Sequence, residues 1–390
     1  MTVMEGQSVP TVGRVEAIPL RHALPPEQSY GSARGRVSAR EGTLVRLETD
    51  DGVVGWGEAF GPPAAVCALV DDLAPLVVGA PVNHVSPVVH TALQVGYHRS
   101  HGGLHVCALS GVETAMWDAW GRYLGLSVSE LLGGRVRSEV PAYASTGFVT
   151  EFVDDEGAFS AALQEAVGEG FSAAKIKVGL GRDRDRRRAE IAREKLGERG
   201  HLMVDFNSNY TADTACRVLD GLRDLDIDWA EEPVPPHDHA GYARVRRCGI
   251  PIAAGEAAYT RVDFRPLVAD QLVDIVQPDL IKCGGIGEAR TIVDLAQAWN
   301  LRVSPHVWGG AIGQAASLQL LAAIPNSPHT EIAGEPLWLE LDRSPNELRW
   351  RLLTDPIIAS DGVVAIPSGP GLGVCVDEDV VAELRVRDPE

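Results

Sequence analysis

Six ionisable residues recur at nearly constant spacing through the middle of this 390-residue chain. Consecutive members lie 23 to 28 residues apart, each near the end of a short apolar segment: Lys177, Asp205, Glu231, Glu256, Asp279 and His306. This spacing is about one strand plus one helix, so successive members should lie at the same level of successive parallel strands. Residues at the carboxyl ends of barrel strands face the active-site mouth, where these six would converge.

Three of these residues are acids, and their convergence predicts a metal site. Asp205, Glu231 and Glu256 would repel one another and could not all stay ionised without a cation between them. Hard oxygen ligands without Cys or His favour Mg²⁺, with Mn²⁺ as the alternative. Glu232 adjoins Glu231, and because only one of the two can face inward on a strand, spacing alone leaves that choice open.

The other members of the series suggest acid–base chemistry. Lys175 and Lys177 fall on one face of a strand, and their mutual repulsion, with a divalent cation nearby, should let a lysine act as a base near neutral pH. Asp279 would orient the ring of His306 and raise its basicity. A metal-bound carboxylate substrate has an acidified α-proton, which one base removes while a second group returns a proton or protonates a leaving group. Racemisation, β-elimination and lactone cycloisomerisation all fit this scheme.

The surrounding pattern predicts the elements that position these residues. From about residue 140, short apolar strands alternate with helical stretches; the strands are VPAYAS, AAKIKVG, HLMVDFN, IDWAEEP, IPIAAGE, DIVQPDL, LRVSPHV and SPHTEI. Eight such units predict an α/β fold with a (β/α)₈ TIM-type barrel. Residues 11–60 read as β structure with an Asp-Gly hairpin, and helices follow up to Gly134. We therefore predict an α+β capping domain at 1–135, the barrel at 136–341, and a segment at 342–390 that returns to the capping domain.

Composition excludes some partners. The net charge of −19 and the pI near 5.0 argue against nucleic acid and anionic membranes. The six cysteines form no CxxC pair, no apolar run approaches the roughly 20 residues of a membrane helix, and the first residues do not look like a leader peptide. We expect a cytoplasmic protein that acts on a small carboxylate substrate.

The motifs around these residues resemble those of the enolase superfamily, within it the mandelate racemase-like subgroup (the mandelate racemase/muconate lactonizing enzyme family). They are KIK, VDFN, EEP, AAGE, QPDLIKCGG and SPHVWGG. The resemblance implies that Lys177 is the base, that Glu231 rather than Glu232 is the ligand, and that Asp279 and His306 form a dyad. The muconate-lactonising branch has a lysine at the position of Asp279, so this chain departs from it.

The same resemblance suggests substrate contacts. IPNSPHTE resembles the family's eighth strand and implies that Glu331 donates a hydrogen bond to the developing oxyanion, with Glu335 as a competing candidate. Asn207 and Ser145 are implied to contact the substrate. Family members close two loops of the capping domain over the substrate, here near residues 20–35 and 57–63; Arg34 and Arg36 of the first loop are candidates for a distal carboxylate or for solvated loop residues.

Further segments are similar to the galactarolactone and anhydrogalactonate cycloisomerase branch: IDWAEEPVPP, VDIVQPDL, ELDRSPNELR and IPSGPGLG. This resemblance implies an Mg²⁺-dependent lyase or isomerase acting on a sugar acid or its lactone, either a cycloisomerase or an acid-sugar dehydratase. A racemase or epimerase of a 2-hydroxy acid is the alternative, and a non-catalytic barrel that binds sugar acids is an alternative of another class. By analogy we expect a homo-oligomer.

Overall fold

The computed structural model describes residues 9–98, 100–149, 156–328, 332 and 334–386. The strands in these ranges are β1 (Val12–Ala23), β2 (Tyr30–Ser32), β3 (Gly35–Val37), β4 (Ala39–Thr49), β5 (Val54–Ala59), β6 (Glu139–Thr146), β7 (Ala173–Lys177), β8 (His201–Asp205), β9 (Ile227–Glu231), β10 (Ile252–Ala254), β11 (Ile275–Val276), β12 (Arg302–Val303), β13 (Leu339–Asp342), β14 (Ala359–Ser360) and β15 (Val363–Ala365). The α-helices are α1 (Pro63–Val77), α2 (Val85–Gly96), α3 (Leu104–Leu124), α4 (Val128–Leu131), α5 (Glu156–Gly168), α6 (Arg182–Leu196), α7 (Ala212–Asp220), α8 (His239–Val245), α9 (Thr260–Ala269), α10 (Ile286–Ala298), α11 (Ala311–Ala323), α12 (Glu347–Trp350) and α13 (Glu378–Leu384).

The N-terminal part is an antiparallel sheet packed against helices. Its strands lie in the order β1-β4-β5, and the predicted Asp-Gly hairpin connects β4 to β5, with Gly52 at a φ of +88°. Helix α3 lies directly on β5. A Cβ atom on Gly57 would stand 1.9 Å from the carbonyl oxygen of Gly111, so glycine is required for this close approach.

Eight parallel strands form the rest of the core. They lie in the order β12-β11-β10-β9-β8-β7-β6, β13 pairs with the free side of β6, and a helix follows each of them. Among the described residues no backbone ladder joins β12 to β13. The two ends are connected by Val307 N, which donates to Glu340 (2.9 Å), and Ser304 Oγ, which donates to the carbonyl of Trp338 (3.3 Å). The result is a mixed α/β fold with a strongly curved parallel sheet.

This curvature is visible in a cluster of side chains drawn from almost every parallel strand. Its members are Tyr143, Ala173, Met203, Trp229, Ala253, Ile275 and Trp338. Because side chains alternate along a strand, residues two positions further on lie on the same inner face, towards the carboxyl ends of the strands. Ser145, Lys175, Lys177, Asp205 and Glu231 all have this parity.

The predicted position of the eighth strand is wrong. We expected it in SPHTEI, but the strand that pairs with β6 is β13, about ten residues later. Within β13, Leu339 and Leu341 pack in the outer core while Glu340 shares the inner parity of Trp338. Pro328 is the second residue of the predicted segment, and proline cannot donate to the ladder that a central strand needs.

The C-terminal segment contacts both parts of the molecule. Strand β15 pairs antiparallel with β6, while the backbone N–H of Leu372 donates to Asp118 of α3 (2.7 Å) and that of Val386 donates to Pro19 O of β1 (2.9 Å). The boundaries at 135/136 and 341/342 stay predictions. Among the described residues, no helix combines the length and apolar composition that crossing a bilayer requires.

Two buried carboxylates attach the N-terminal sheet and helices to the parallel part. Glu113 of α3 accepts hydrogen bonds from the backbone N–H groups of Ile286 (2.7 Å) and Gly287 (2.8 Å), where α10 begins. Glu58 of β5 accepts from Gly310 (2.5 Å) and Gly313 (2.9 Å), where α11 begins. These groups have no partner within their own helix, and a carboxylate there also complements the helix dipole.

Replacing Glu113 by glutamine should lower the free energy of unfolding by about 1–3 kcal/mol. Both carboxylate oxygens of Glu113 accept backbone N–H groups, and a glutamine NH₂ would oppose one of these donors. Urea unfolding of Glu113→Gln measures the effect, with Glu165→Gln on the exposed side of α5 as the control that should change little. Equal stability of the two variants would contradict the proposed attachment.

Candidate active site

The structure brings the six spaced ionisable residues together at the carboxyl ends of the parallel strands. Lys177, Asp205 and Glu231 are the last residues of β7, β8 and β9, and they pair in register across these strands. Glu256, Asp279 and His306 follow β10, β11 and β12 within three residues. The prediction of an in-phase series therefore agrees with the observed register.

The three acids form one cluster. One carboxylate oxygen each of Asp205, Glu231 and Glu256 lies within 4.8 Å of the others. Asp205 and Glu231 are fully buried, and Glu256 is largely buried. Glu232 is directed elsewhere: its φ is +39° and its carboxylate accepts a hydrogen bond from Ser208 Oγ (2.8 Å). The fold thus resolves the choice between the two adjacent glutamates in favour of Glu231.

Each acid of this cluster contacts a cationic or ionisable nitrogen. Lys177 Nζ lies 2.5 Å from Asp205, Lys175 Nζ lies 2.5 Å from Glu231, and His306 Nε2 lies 3.3 Å from Glu256.

The cluster has the donor set that a divalent hard cation requires. Its three candidate ligands offer only oxygen atoms, which Mg²⁺ prefers. The amide oxygen of Asn207 is also buried beside Asp205 and has no hydrogen-bond partner in the described protein. Buried polar atoms are nearly always satisfied, so this oxygen supports a bound group at the cluster. The residues therefore fit Mg²⁺.

Asp279 and His306 form the predicted dyad. His306 Nδ1 lies 2.7 Å from Asp279 Oδ2, while the other oxygen of Asp279 accepts the backbone N–H of Ile281 (3.0 Å). Burial lowers the pKa of His306, but the Glu256 carboxylate and the hydrogen bond with Asp279 outweigh burial and raise that pKa to about 9. The ring is oriented with Nε2 towards the carboxylate cluster.

The pKa of both lysines of the cluster is raised. Pairing with carboxylates outweighs burial and raises the pKa of Lys175 and of Lys177. Lys175 contacts two acids, Glu231 and Glu340 (2.8 Å). The expectation of a lysine base included a divalent cation beside the lysines, so it stays a prediction.

Two site residues were missed by the sequence analysis. Glu340 of β13 is buried and contacts Lys175. Pairing with Lys175 outweighs burial and lowers the pKa of Glu340. Gln277 follows β11 and donates to Glu231 Oε2 (2.6 Å). The alternation in Trp338-Leu339-Glu340-Leu341 was the available signal for Glu340.

Of the two acids predicted for the eighth strand, the structure describes Glu335. Glu331 lies outside the described residues. Glu335 is exposed, and its carboxylate lies 3.2 Å from Arg302. The described acid on the eighth parallel strand is Glu340.

The other residues predicted to contact the substrate differ in burial and in hydrogen bonding. Ser145 is buried, and its hydroxyl has no partner in the described protein. Asn207 donates to Asp205 through its backbone N–H (2.8 Å) and its side-chain Nδ2 (3.1 Å). Arg34 and Arg36 are exposed, and Arg36 donates to the carbonyl of Pro26 (3.1 Å). The substrate-contact roles of Ser145 and Asn207 stay predictions.

Comparison with known families matches this architecture over most of the chain. The family described as Mandelate racemase / muconate lactonizing enzyme, N-terminal domain, matches residues 17–133, and Enolase C-terminal domain-like matches residues 158–380. The chain belongs to the mandelate racemase/muconate lactonizing enzyme family of the enolase superfamily. The predicted resemblance is confirmed, and the family's members imply an N-terminal capping domain and a C-terminal (β/α)₈ barrel.

Curated relatives are sugar-acid enzymes. The chain is 38% identical over 371 residues to the D-galactarolactone cycloisomerase of Agrobacterium fabrum, covering 95% of this chain and 97% of that protein. It is 32% identical to the D-xylonate dehydratase of Haloferax volcanii, covering 88% and 85%. These relatives support an enzyme of the lactone cycloisomerase and sugar-acid dehydratase group.

Solved structures of similar proteins share this fold over nearly the whole chain. The 3,6-anhydro-D-galactonate cycloisomerase from Zobellia galactanivorans is similar with a TM-score of 0.87 and 30% identity, over 97% of this chain and 100% of that one. A racemase from Streptomyces coelicolor A3(2) with bound magnesium is similar with a TM-score of 0.85 and 28% identity, over 96% and 100%. A relative of this fold therefore binds Mg²⁺.

Mg²⁺ should bind about tenfold more weakly at pH 6 than at pH 8. Burial outweighs the neighbouring Lys175 and raises the pKa of Glu231 to about 7, and a protonated carboxyl is a poor ligand. Affinity should therefore fall as the pH decreases through about 7. Calorimetry in buffers of different ionisation enthalpy measures both affinity and proton release. Affinity that is independent of pH, without proton release, would contradict the expected linkage.

Proposed function

We propose that the protein is an Mg²⁺-dependent enzyme that removes the proton α to the carboxylate of a sugar acid or sugar-acid lactone, with cycloisomerisation or β-elimination following. One observation carries the proposal. The two candidate bases contact opposite members of the carboxylate cluster, Lys177 at Asp205 and His306 at Glu256. A substrate carboxylate at the cluster would therefore have a proton-transfer group on either side.

The proposed metal ligands are Asp205, Glu231 and Glu256, with Mn²⁺ as an alternative to Mg²⁺. When bound, the cation would stabilise the negative charge that develops on the substrate carboxylate as the α-proton leaves. It would also compete with Lys177 for Asp205, which weakens the ion pair that raises the pKa of this lysine. Lys177 would then be a better base.

The dyad supplies the second proton-transfer group. Asp279 holds His306 Nδ1, so Nε2 is the atom that carries or accepts the transferred proton. His306 with a raised pKa is protonated at neutral pH and can donate to a leaving alkoxide or carboxylate. A proton donor at this position serves elimination and ring opening, in which the leaving group must be protonated.

Glu340 and Lys175 are proposed to support the reaction from the eighth and second parallel strands. Both are buried next to Glu231, and Glu340 also accepts the backbone N–H of Val307 near His306. A rigid set of charges in a buried site stabilises developing charge without reorganisation. We propose that Glu340, an ionised carboxylate that accepts hydrogen bonds, positions Lys175 and does not donate to the oxyanion as was implied for Glu331.

The activities of the relatives support a sugar acid, rather than another carboxylate, as the proposed substrate. D-galactarolactone cycloisomerase is the relative quoted above with the higher identity, so cycloisomerisation of a lactone is our first choice, and dehydration of an acid sugar shares the same enolate. Racemisation of a 2-hydroxy acid uses the same two bases and remains the alternative. We also infer a closed (β/α)₈ barrel, a homo-oligomer and a cytoplasmic location.

Lys177→Ala should abolish exchange of the substrate α-hydrogen in D₂O, and His306→Asn should lower turnover by about 10²–10⁴-fold. The first removes the base, and the second removes the group that protonates the leaving atom. Exchange is followed by proton NMR across a library of aldonates, aldarates and lactones, and turnover is followed by keto-acid formation.

Lys195→Ala on α6 is the matched control and should leave both rates unchanged. Full activity of the Lys177 and His306 variants would refute the two-base scheme. Sugar-acid binding that needs no metal, together with no exchange by the wild type, would instead favour the non-catalytic barrel.

Glu340→Gln should reduce kcat by at least about 10²-fold, while Glu331→Gln should have a much smaller effect. Removing the charge of Glu340 leaves the buried ammonium of Lys175 with one acidic partner, Glu231, in place of two, and it disturbs the charge balance beside the cluster. Steady-state kinetics of the two variants checks this. The reverse order of effects would restore Glu331 as the eighth-strand acid.

A further inference from the structure

Lysine is rare in this chain, and its distribution is informative. Of 35 basic residues, lysine occupies only positions 175, 177, 195 and 282, and arginine occupies the rest. Lys195 is a partly exposed residue of α6, whereas the other three are buried. Two of those three are the lysines of the carboxylate cluster, so Lys282 is a third buried lysine of this chain that the proposed mechanism does not use.

Lys282 lies at the edge of the proposed site. It follows Asp279 by one turn, since its backbone N–H donates to the carbonyl of Asp279 (3.0 Å). Its Nζ atom lies 4.5 Å from the ring centroid of Phe60, in the loop at 57–63. The backbone N–H of Phe60 donates to Ile281 O (3.1 Å), which fixes that loop beside the lysine. Lys282 therefore lies where the capping loop meets the strand ends.

The charge of Lys282 is not matched by an acid. It is 7% exposed, and in the described part of the chain no carboxylate lies within 4.0 Å of Nζ and no hydrogen bond to Nζ is formed. Lys175 and Lys177, by contrast, each contact a carboxylate at 2.5 Å. Burial lowers the pKa of Lys282, but the more distant Asp279 and Glu256 outweigh burial and raise it, so the side chain is an ammonium ion.

A buried ammonium without a partner is costly, and such groups are retained mainly where they bind something. The chain carries a net charge of −19, so an anionic substrate needs local positive charge at the site. The clustered lysines are already neutralised by acids. Arg34 and Arg36 of the first loop, the earlier candidates for a distal carboxylate, are exposed.

We propose that Lys282 is a specificity residue that binds a negatively charged acyl oxygen at the far end of the substrate, so that the enzyme prefers a sugar dicarboxylate or its lactone to a sugar monocarboxylate. The inference rests on the proposed function and narrows its substrate class. A lactone acquires the same charge during the reaction, because its ring C–O bond breaks and the ring oxygen leaves as part of a carboxylate.

The test compares three probes that share a carbon skeleton: galactarate, its 1,4-lactone and galactonate, which has a hydroxymethyl group in place of the second carboxylate. Lys282→Met should lower kcat/KM by about 10- to 100-fold for galactarate, mainly through KM, and for the lactone, mainly through kcat, and by less than about threefold for galactonate. Lys282→Arg keeps the charge and should retain most of the preference. Lys195→Met is the control and should change neither.

The outcomes separate this inference from the proposed function. A loss confined to galactarate assigns Lys282 to an open-chain carboxylate, and a loss confined to the lactone assigns it to the ring acyl oxygen; both support the inference. Three outcomes would overturn the inference about Lys282 while leaving α-hydrogen exchange intact. They are an equal loss on all three probes, no loss on any of them, and a wild-type preference for galactonate. Absence of exchange by the wild type with every sugar acid overturns the proposed function and this inference together.

Discussion

Repulsion among three buried carboxylates is the constraint on which the rest of this site depends. The oxygens of Asp205, Glu231 and Glu256 lie within 4.8 Å of one another, in an environment where like charges interact far more strongly than in water. Such a cluster is stable only when cations surround it, and the protein provides Lys175, Lys177 and the protonatable His306. The groups that balance the cluster are therefore also the groups available for proton transfer.

The parallel strands keep these charges in place. Each residue of the cluster lies at or just beyond the end of a strand whose backbone is bonded on both sides, so few rotations remain to be lost when a ligand binds. The N-terminal part is attached at the same end of the molecule, because Glu58 and Glu113 accept the first backbone N–H groups of helices that start from these strand ends. This attachment places Phe60 beside Lys282.

Contacts of a buried arginine also join the N-terminal part to the strand ends. Arg40 of β4 is buried, lies 3.4 Å from Asp342 of β13, stacks 3.9 Å from the ring centroid of Trp308 and donates to the hydroxyl of Tyr30 (2.8 Å). Through Arg40, Tyr30 is therefore connected to residues at the ends of β12 and β13. The proposed catalytic residues lie at the ends of the strands, and Lys282, the proposed specificity residue, lies where the N-terminal part meets these strand ends.

The sequence alone predicted to a large extent which residues meet at the candidate site. Periodic placement of Lys177, Asp205, Glu231, Glu256, Asp279 and His306 is a local property, since one strand and one helix per step bring each residue to the same level. Tertiary structure alone decided what depends on contacts between distant segments. It directed Glu231 rather than Glu232 towards the cluster and placed Glu340 rather than Glu335 beside Lys175, and among the described residues it pairs no acid with Lys282. Pairing energies and burial depend on neighbours that are remote along the chain, which is why the pKa of the lysines and the partners of these side chains could not be read from spacing.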